Sequence, residues 1–223
     1  MQYDELISFG SQCNPGLSLR ELNLKQETYP FDWVRSNAKI IYDVLKNGGD
    51  PYVRFDETGG SDEYFTKNLD AIDFKNFPLT HVNSYGQYFT HYDTEPIHSV
   101  IVKFKRYMER FFTVLNSPKR VLFIHSHEEY IYHKLSRDNK DLFYDYLCKI
   151  NDTLAHDYPA LQFTILNIDV NNVHEDYGNI INRSISYQLP MSDNSETHTE
   201  SNFGPYRKEV TNAIWKFMCE KAR

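Results

Sequence analysis

The chain is 223 residues long, 40% hydrophobic and 25% charged, with a formal net charge of −7. That length suits one domain with a substantial core, and the acidic balance excludes a nucleic-acid backbone as the main partner, because phosphate contacts need clustered Lys and Arg. No apolar run approaches the ~20 residues of a membrane span, and the N-terminus lacks a charged-then-apolar signal segment, so a cytoplasmic protein is expected.

Leu6 to Phe9 reads as a strand that breaks at Gly10, and Cys13 follows within a few residues. Leu17, Leu19, Leu22 and Leu24 then recur at roughly helical spacing. Cys13 is therefore expected at a strand-to-helix turn, where backbone N–H groups and the positive end of the helix dipole favour a thiolate. Tyr29-Pro30-Phe31-Asp32-Trp33 is a proline-fixed bend that presents a carboxylate between two large aromatics, and a buried carboxylate there needs a partner. Asn37 to Leu45 reads as a second helix, stopped by Asn47-Gly48-Gly49. Pro, Gly, Asp and Asn over about 48–80 predict an irregular insertion, followed by a short strand around His81-Val82. An amphipathic helix from about His98 to Leu115 carries Val102, Phe104, Tyr107, Met108, Phe111, Phe112 and Leu115 on one broad face. Its Lys103, Lys105, Arg106 and Arg110 read as a solvated face.

Arg120 to His125 is a continuous apolar run, as in a strand buried on both sides. Asp138 to His156 reads as a helix with Asp138 at its N-cap, Leu161 to Ile168 as a second buried strand, and Ile180 to Tyr187 as a third. A mobile polar loop is expected at about 190–204. Pro205 then opens a last helix that buries Val210, Ile214, Phe217 and Met218. The three cysteines, Cys13, Cys148 and Cys219, are odd in number and widely spaced, so they form neither a zinc knuckle nor a disulfide framework. Cys148 and Cys219 fall in helices at core-like spacing. Buried strands alternating with helices predict one α/β domain over 1–223, a three-layer sandwich around a largely parallel central sheet.

The SxGxxC pattern of Ser8, Gly10 and Cys13, followed by Tyr29-Pro30-Phe31-Asp32-Trp33, resembles a family of papain-like cysteine peptidases catalogued as a domain of unknown function. The resemblance continues at Asn83-Ser84-Tyr85-Gly86, at Phe89-Thr90-His91 and from Phe104-Lys105-Arg106 into Val121-Leu122-Phe123-Ile124, about residues 5–125 in all. It implies that Cys13 is a nucleophile and His91 its base, with Asp93 or Asp32 fixing the imidazole tautomer. It also implies an antiparallel sheet behind the nucleophile helix, where the periodicity predicts a parallel one.

Two further groups bear on chemistry. The turn Gly10-Ser11-Gln12 offers an anion or oxyanion cradle at a helix N-terminus. His125 and His127, directly after a buried strand, stand with Asp169 at strand carboxyl ends, where parallel α/β sheets bind ligands, so all three are crevice candidates. One His-x-His pair is a weak metal signal, and neither a metal nor another cofactor is expected. The leading expectation is a cysteine-dependent hydrolase or acyl transferase acting on a peptide or glycan-type substrate. The alternatives are a transferase of glycosyl or similar groups from an activated nucleotide donor, with Cys13 merely packed, and a catalytically inert binding module.

Overall fold

The central sheet forms where the sequence carries its unbroken apolar runs. In a computed structural model, which describes residues 3–10, 13–34, 36–50, 83, 89, 92, 95–126, 140–170, 174–186 and 203–221, four parallel strands lie in chain order: β1 (Glu5–Ser8), β2 (Arg120–Ser126), β3 (Gln162–Val170) and β4 (Ile180–Ile185). The register pairs Ile7 with Phe123, Phe123 with Ile165 and Ile165 with Ile180, so these residues share one face. On the other face Leu6 pairs with Leu122, Ile124 with Leu166, and Leu166 with Ile181. Because alternate side chains point to opposite faces, a strand covered on both sides must be apolar at nearly every position. In β2, every residue after Arg120 is buried.

Among the described residues five helices supply the covers: α1 (Asn14–Glu21), α2 (Ala38–Asn47), α3 (Ile97–Leu115), α4 (Lys140–Asp157) and α5 (Phe203–Lys221). Ile7, Phe9, Phe123 and Ile165 form one apolar cluster with Ile41 and Val44 of α2, Phe104 and Phe111 of α3, and Ile150 and Leu154 of α4. Leu6, Leu122, Ile124, Leu166 and Ile168 form a second cluster with Leu19 of α1 and Val210, Ile214 and Phe217 of α5. The result is the three-layer α/β sandwich that the periodicity predicts, with a parallel sheet rather than the antiparallel one implied by the papain-like resemblance. β3 and β4 are parallel neighbours joined through residues 171–179. The last part of that connection runs back over α4, where the Asn179 N–H donates to Asn151 Oδ1 at 2.9 Å and the Tyr144 hydroxyl donates to the Glu175 carbonyl at 2.6 Å.

Several local expectations need correction. α1 ends at Glu21, because Asn23 takes a left-handed conformation (φ 55°) and the chain folds back with the Leu24 N–H on the Leu19 carbonyl. Leu22 and Leu24 therefore lie past the helix, half-buried against the second cluster. The buried face of α1 is instead made of Asn14, Pro15, Gly16, Ser18 and Leu19. Val102 is 53% exposed, and Val100 and Val114 take its place on the inner face of α3. Cys219 is exposed rather than packed, whereas Cys148 does lie against the core. On α3 Lys103 pairs with Glu95 at 2.6 Å, Arg110 with Glu27 at 2.9 Å, and the Arg106 guanidinium lies 5.7 Å from the centre of the Tyr107 ring. Among the described residues no helix is long and apolar enough to cross a membrane. The insertion beyond residue 50, the strand at 81–82, Asp138 and the loop at 190–202 lie outside the described residues.

Candidate functional site

Cys13 is the N-cap residue of α1, in a helical conformation (φ −70°, ψ −9°) with Pro15 in the first turn behind it. It is half-buried. The strand ladder runs almost up to it: the Phe9 N–H donates to the Ile124 carbonyl at 2.8 Å, and the Ser126 N–H donates to the Gly10 carbonyl at 3.4 Å. Gly10 then turns the chain with φ +68°, a conformation that costs a residue with a Cβ about 1 kcal/mol or more. Cys13 thereby follows the carboxyl end of β1, at the start of a helix whose first turn contains no acidic residue.

The bend at 29–36 is packed under this turn. Phe31 enters an aromatic cluster with Phe9 (centroids 6.1 Å apart, edge-on) and Phe111 (5.5 Å), and Phe9 stacks on Phe123 at 4.2 Å. Two close approaches seat the bend. A Cβ on Gly10 would meet Ser36 Cβ at 3.0 Å, and a Cβ on Gly16 would meet the Asp32 carbonyl oxygen at 3.1 Å and Oδ1 at 3.4 Å. Asp32 is fully buried, and its Oδ2 accepts from the Tyr29 N–H at 2.6 Å and pairs with Lys25. Burial pushes its carboxyl above the usual carboxylate range, while Lys25 and the Tyr29 N–H pull it back. Asp32 thus ties the bend to backbone, and the helix-capping role falls to Asn37, whose Oδ1 accepts from the Ile40 N–H at 2.9 Å. Tyr29 is anchored in turn by its hydroxyl, which donates to Glu5 Oε2 at 2.8 Å.

His125 sits inside the protein at 2% exposure rather than on an open wall. Its Nδ1 lies 3.0 Å from Asn167 Oδ1. Asn167 Nδ2 donates to Asn182 Oδ1 at 2.9 Å, and Asn182 Nδ2 donates to the Tyr144 hydroxyl at 3.0 Å. The register makes this ladder possible, since His125 pairs with Asn167 and Asn167 with Asn182 across adjacent strands. With Asn167 Oδ1 as the acceptor, the proton belongs on Nδ1. Burial pushes the imidazole down to about pKa 4, so it is neutral near pH 7. Asp169 is buried, with Oδ2 3.3 Å from His174 Nε2, and the His174 ring stacks on Tyr144 at 4.0 Å.

Ser11, Gln12, His91, Asp93 and His127 lie outside the described residues. Of the sequence candidates, the structure therefore gathers Gly10, Cys13 and Asp32 around one turn, and places His125 and Asp169 on the inner face of β2 and β3. Among the described residues no three His, Cys, Asp or Glu side chains gather as a metal would need. Sequence reasoning missed Lys25, Ser36, Asn167, Asn182 and His174. Asn167 and Asn182 had a signal, since each is a polar residue interrupting an apolar run at the rung of His125.

The family described as "Putative papain-like cysteine peptidase" matches residues 4–172. The chain is also 31% identical, over 63% of its length and 69% of the relative's, to "Uncharacterized protein R408" of Acanthamoeba polyphaga mimivirus. No solved structure matches.

Two predictions follow the geometry. Unfolded, the imidazole of His125 takes up a proton near pH 6.5, and folded only near 4. Between those values the unfolded chain binds more protons, so stability is lost as pH falls through that window, by about 3 kcal/mol in all. Urea unfolding at steps between about pH 7 and 4 should show this loss, flattened in His125→Gln; equal slopes in both proteins would remove His125 as the cause. Asp32→Ala strands the Lys25 ammonium and should cost roughly 3–5 kcal/mol. Adding Lys25→Met should recover more than half of it. A double variant no more stable than the single would show that the carboxylate matters for something other than that pair.

Proposed function

Because the chain belongs to the family described as papain-like cysteine peptidases, we propose that it is a cysteine-dependent hydrolase or acyl transferase with Cys13 as nucleophile. The observation that carries this reading is the place of Cys13: half-buried, at the N-cap of α1, following the carboxyl end of β1 in a parallel sheet. That is where strand ends and helix starts converge on a ligand. The partial positive charge of the helix start stabilises a thiolate relative to a thiol. Asp32 beneath the first turn does not cancel this field, because Lys25 pairs with it. The other cysteines lack the setting. Burial, with Asp145 and Asp152 nearby, pushes the Cys148 thiol up, and Cys219 lies near the far end of a helix.

In the proposed reaction the Cys13 thiolate attacks a carbonyl carbon and the leaving group departs with a proton from the base, giving a thioester. Water or a second nucleophile, deprotonated by the same base, then releases the acyl group. His91 is the base in this reading, carried over from the resemblance, which leaves Asp93 or Asp32 as the orienting carboxylate; we favour Asp93, because Asp32 already accepts from Lys25 and the Tyr29 N–H. His125 is unsuited to that role, since it is buried, hydrogen-bonded to Asn167 and neutral. The substrate class in keeping with the family is a peptide or another carbonyl compound such as an amide-bearing glycan.

Competitive alkylation by iodoacetamide, read by peptide mass spectrometry, tests the nucleophile within one molecule. At about pH 7 Cys13 should be modified at least roughly tenfold faster than the exposed Cys219, because a thiolate stabilised at a helix start reacts faster than an ordinary thiol. His91→Gln should narrow the gap. Labelling of Cys13 no faster than Cys219 would sink the reading.

A further inference from the structure

The exposure at the start of α1 follows a single stripe. From Cys13 to Leu19 every residue is buried except Cys13 and Leu17, which are partly exposed. The Leu17 N–H donates to the Cys13 carbonyl at 2.8 Å, so the helical spacing holds between them. Residues four apart lie about 40° apart around the axis at ~100° per residue, with Cβ atoms about 5–6 Å apart. A helical leucine also points back toward the N-terminus, which lays the Leu17 side chain over the turn that carries Cys13. The stripe has a wall on each side. On one, the bend at 29–36 packs against Gly16 through Asp32. On the other, α5 packs against α1: the Ser18 and Thr211 hydroxyls are hydrogen-bonded at 2.9 Å, and Arg207 pairs with Glu21 at 2.9 Å. Leu17 joins neither of the two apolar clusters of the described residues. Single exposed leucines are common. This one is set apart by its place, beside the thiol and between two walls.

We propose that Leu17 sets the specificity of the site, as the floor of a subsite that takes an aliphatic group next to the carbonyl attacked by Cys13. The inference rests on Cys13 being the nucleophile and names what that site accepts. A substrate at the sulfur meets the leucine methyls one turn away, and an aliphatic group laid on them leaves water together with them. The stripe sets the length as well. One turn beyond Leu17, Arg20 and Glu21 are exposed and charged, so the apolar stretch spans only about 5.4 Å, one helical pitch. That length suits a short acyl chain or a leucine-sized side chain of a peptide, not a long lipid. In the step itself the Cys13 sulfur bonds to the carbonyl carbon and the leaving group departs with its bonding pair, giving a thioester. Leu17 holds the group attached to that carbon and takes no part in proton transfer.

Two esters test this in the full chain. p-Nitrophenyl acetate and p-nitrophenyl hexanoate both acylate a thiolate and release p-nitrophenolate, and they differ only in the chain that would lie on Leu17. Acylated Cys13 is identified by peptide mass spectrometry, and each rate is divided by that of N-acetylcysteine with the same ester. On that scale wild type should favour the hexanoate roughly tenfold. Leu17→Ala should bring the ratio to within about threefold of unity, and Leu17→Met, which keeps the volume, should retain it. Alkylation of Cys13 by iodoacetamide, which lays no chain on Leu17, should stay within about twofold of wild type in both variants. A wild type that shows no preference for the hexanoate, or a ratio unchanged in Leu17→Ala, would overturn the inference while leaving Cys13 as nucleophile. Loss of alkylation together with acylation would make Leu17 a support of the helix start and also overturn it. A wild-type Cys13 that neither the esters nor iodoacetamide modify in preference to Cys219 would overturn the inference together with the reading beneath it.

Discussion

The seating of one bend against one turn governs the geometry of the candidate site, and two glycines make it possible. Without side chains at Gly10 and Gly16, Ser36 and Asp32 approach the backbone on either side of Cys13. The apolar part of this contact carries most of the energy. Phe31 is fully buried among Phe9 and Phe111, and each such edge-on pair adds about 0.5–1.5 kcal/mol to the burial of the rings themselves. The ionic part is different in kind. Taking the Asp32 carboxylate and the Lys25 ammonium out of water costs nearly what their attraction returns. Their value lies in admitting one arrangement: any other packing of the bend would leave a buried charge alone. Further ties hold the edges, Tyr29 to Glu5, Glu5 to Lys119 at 2.7 Å, and Arg110 to the Thr28 carbonyl at 2.7 Å.

The sheet turns that local arrangement into a platform. All four described strands point the same way, so their carboxyl ends share one rim, and the first turn of α1 starts there. The apolar runs of β2 and β3 give way to polar residues as they approach the rim. On one face the change occurs at a single rung, where His125, Asn167 and Asn182 exchange hydrogen bonds and end on Tyr144. A ladder of neutral groups can be buried at little net cost when each donor meets an acceptor. A protonated imidazole could not be, which is why burial keeps His125 neutral.

The parts legible in the sequence were those set by periodicity. β2 and β3 read correctly because a strand covered on both faces must be apolar throughout, and α2 and α3 because their apolar stripes recur at helical spacing. Cys13 at a strand-to-helix turn was readable from the break at Gly10. The reading of α1 went wrong because its four leucines look like a stripe. Only Leu19 is fully buried, and Asn23 ends the helix early through a backbone conformation that leaves little trace in residue type. The site was legible only in fragments. That Asp32 needs a partner follows from its surroundings, but that the partner is Lys25, seven residues earlier, has no pattern to announce it. Ser36 carries no motif at all: its meaning comes from Gly10, which folding brings to it from far up the chain.

The contrast between the two polar regions says where to look for chemistry. The carboxyl end of a parallel sheet is a general address for ligands, and both regions share it, so position alone does not choose between them. Saturation does. In the ladder of β2, β3 and β4 the groups spend their hydrogen bonds on one another: Asn182 alone serves Asn167, Tyr144 and the Glu175 carbonyl. A ligand arriving there would have to break bonds before making any. Around the Cys13 turn the balance is reversed: among the described residues Ser36 Oγ and Asp32 Oδ1 are buried without a hydrogen-bond partner. Folding alone would favour apolar atoms at those two points. Those two atoms lean on the turn that carries Cys13, one residue against Gly10 and the other against Gly16, so hydrogen-bonding capacity is left over at this turn and not in the ladder.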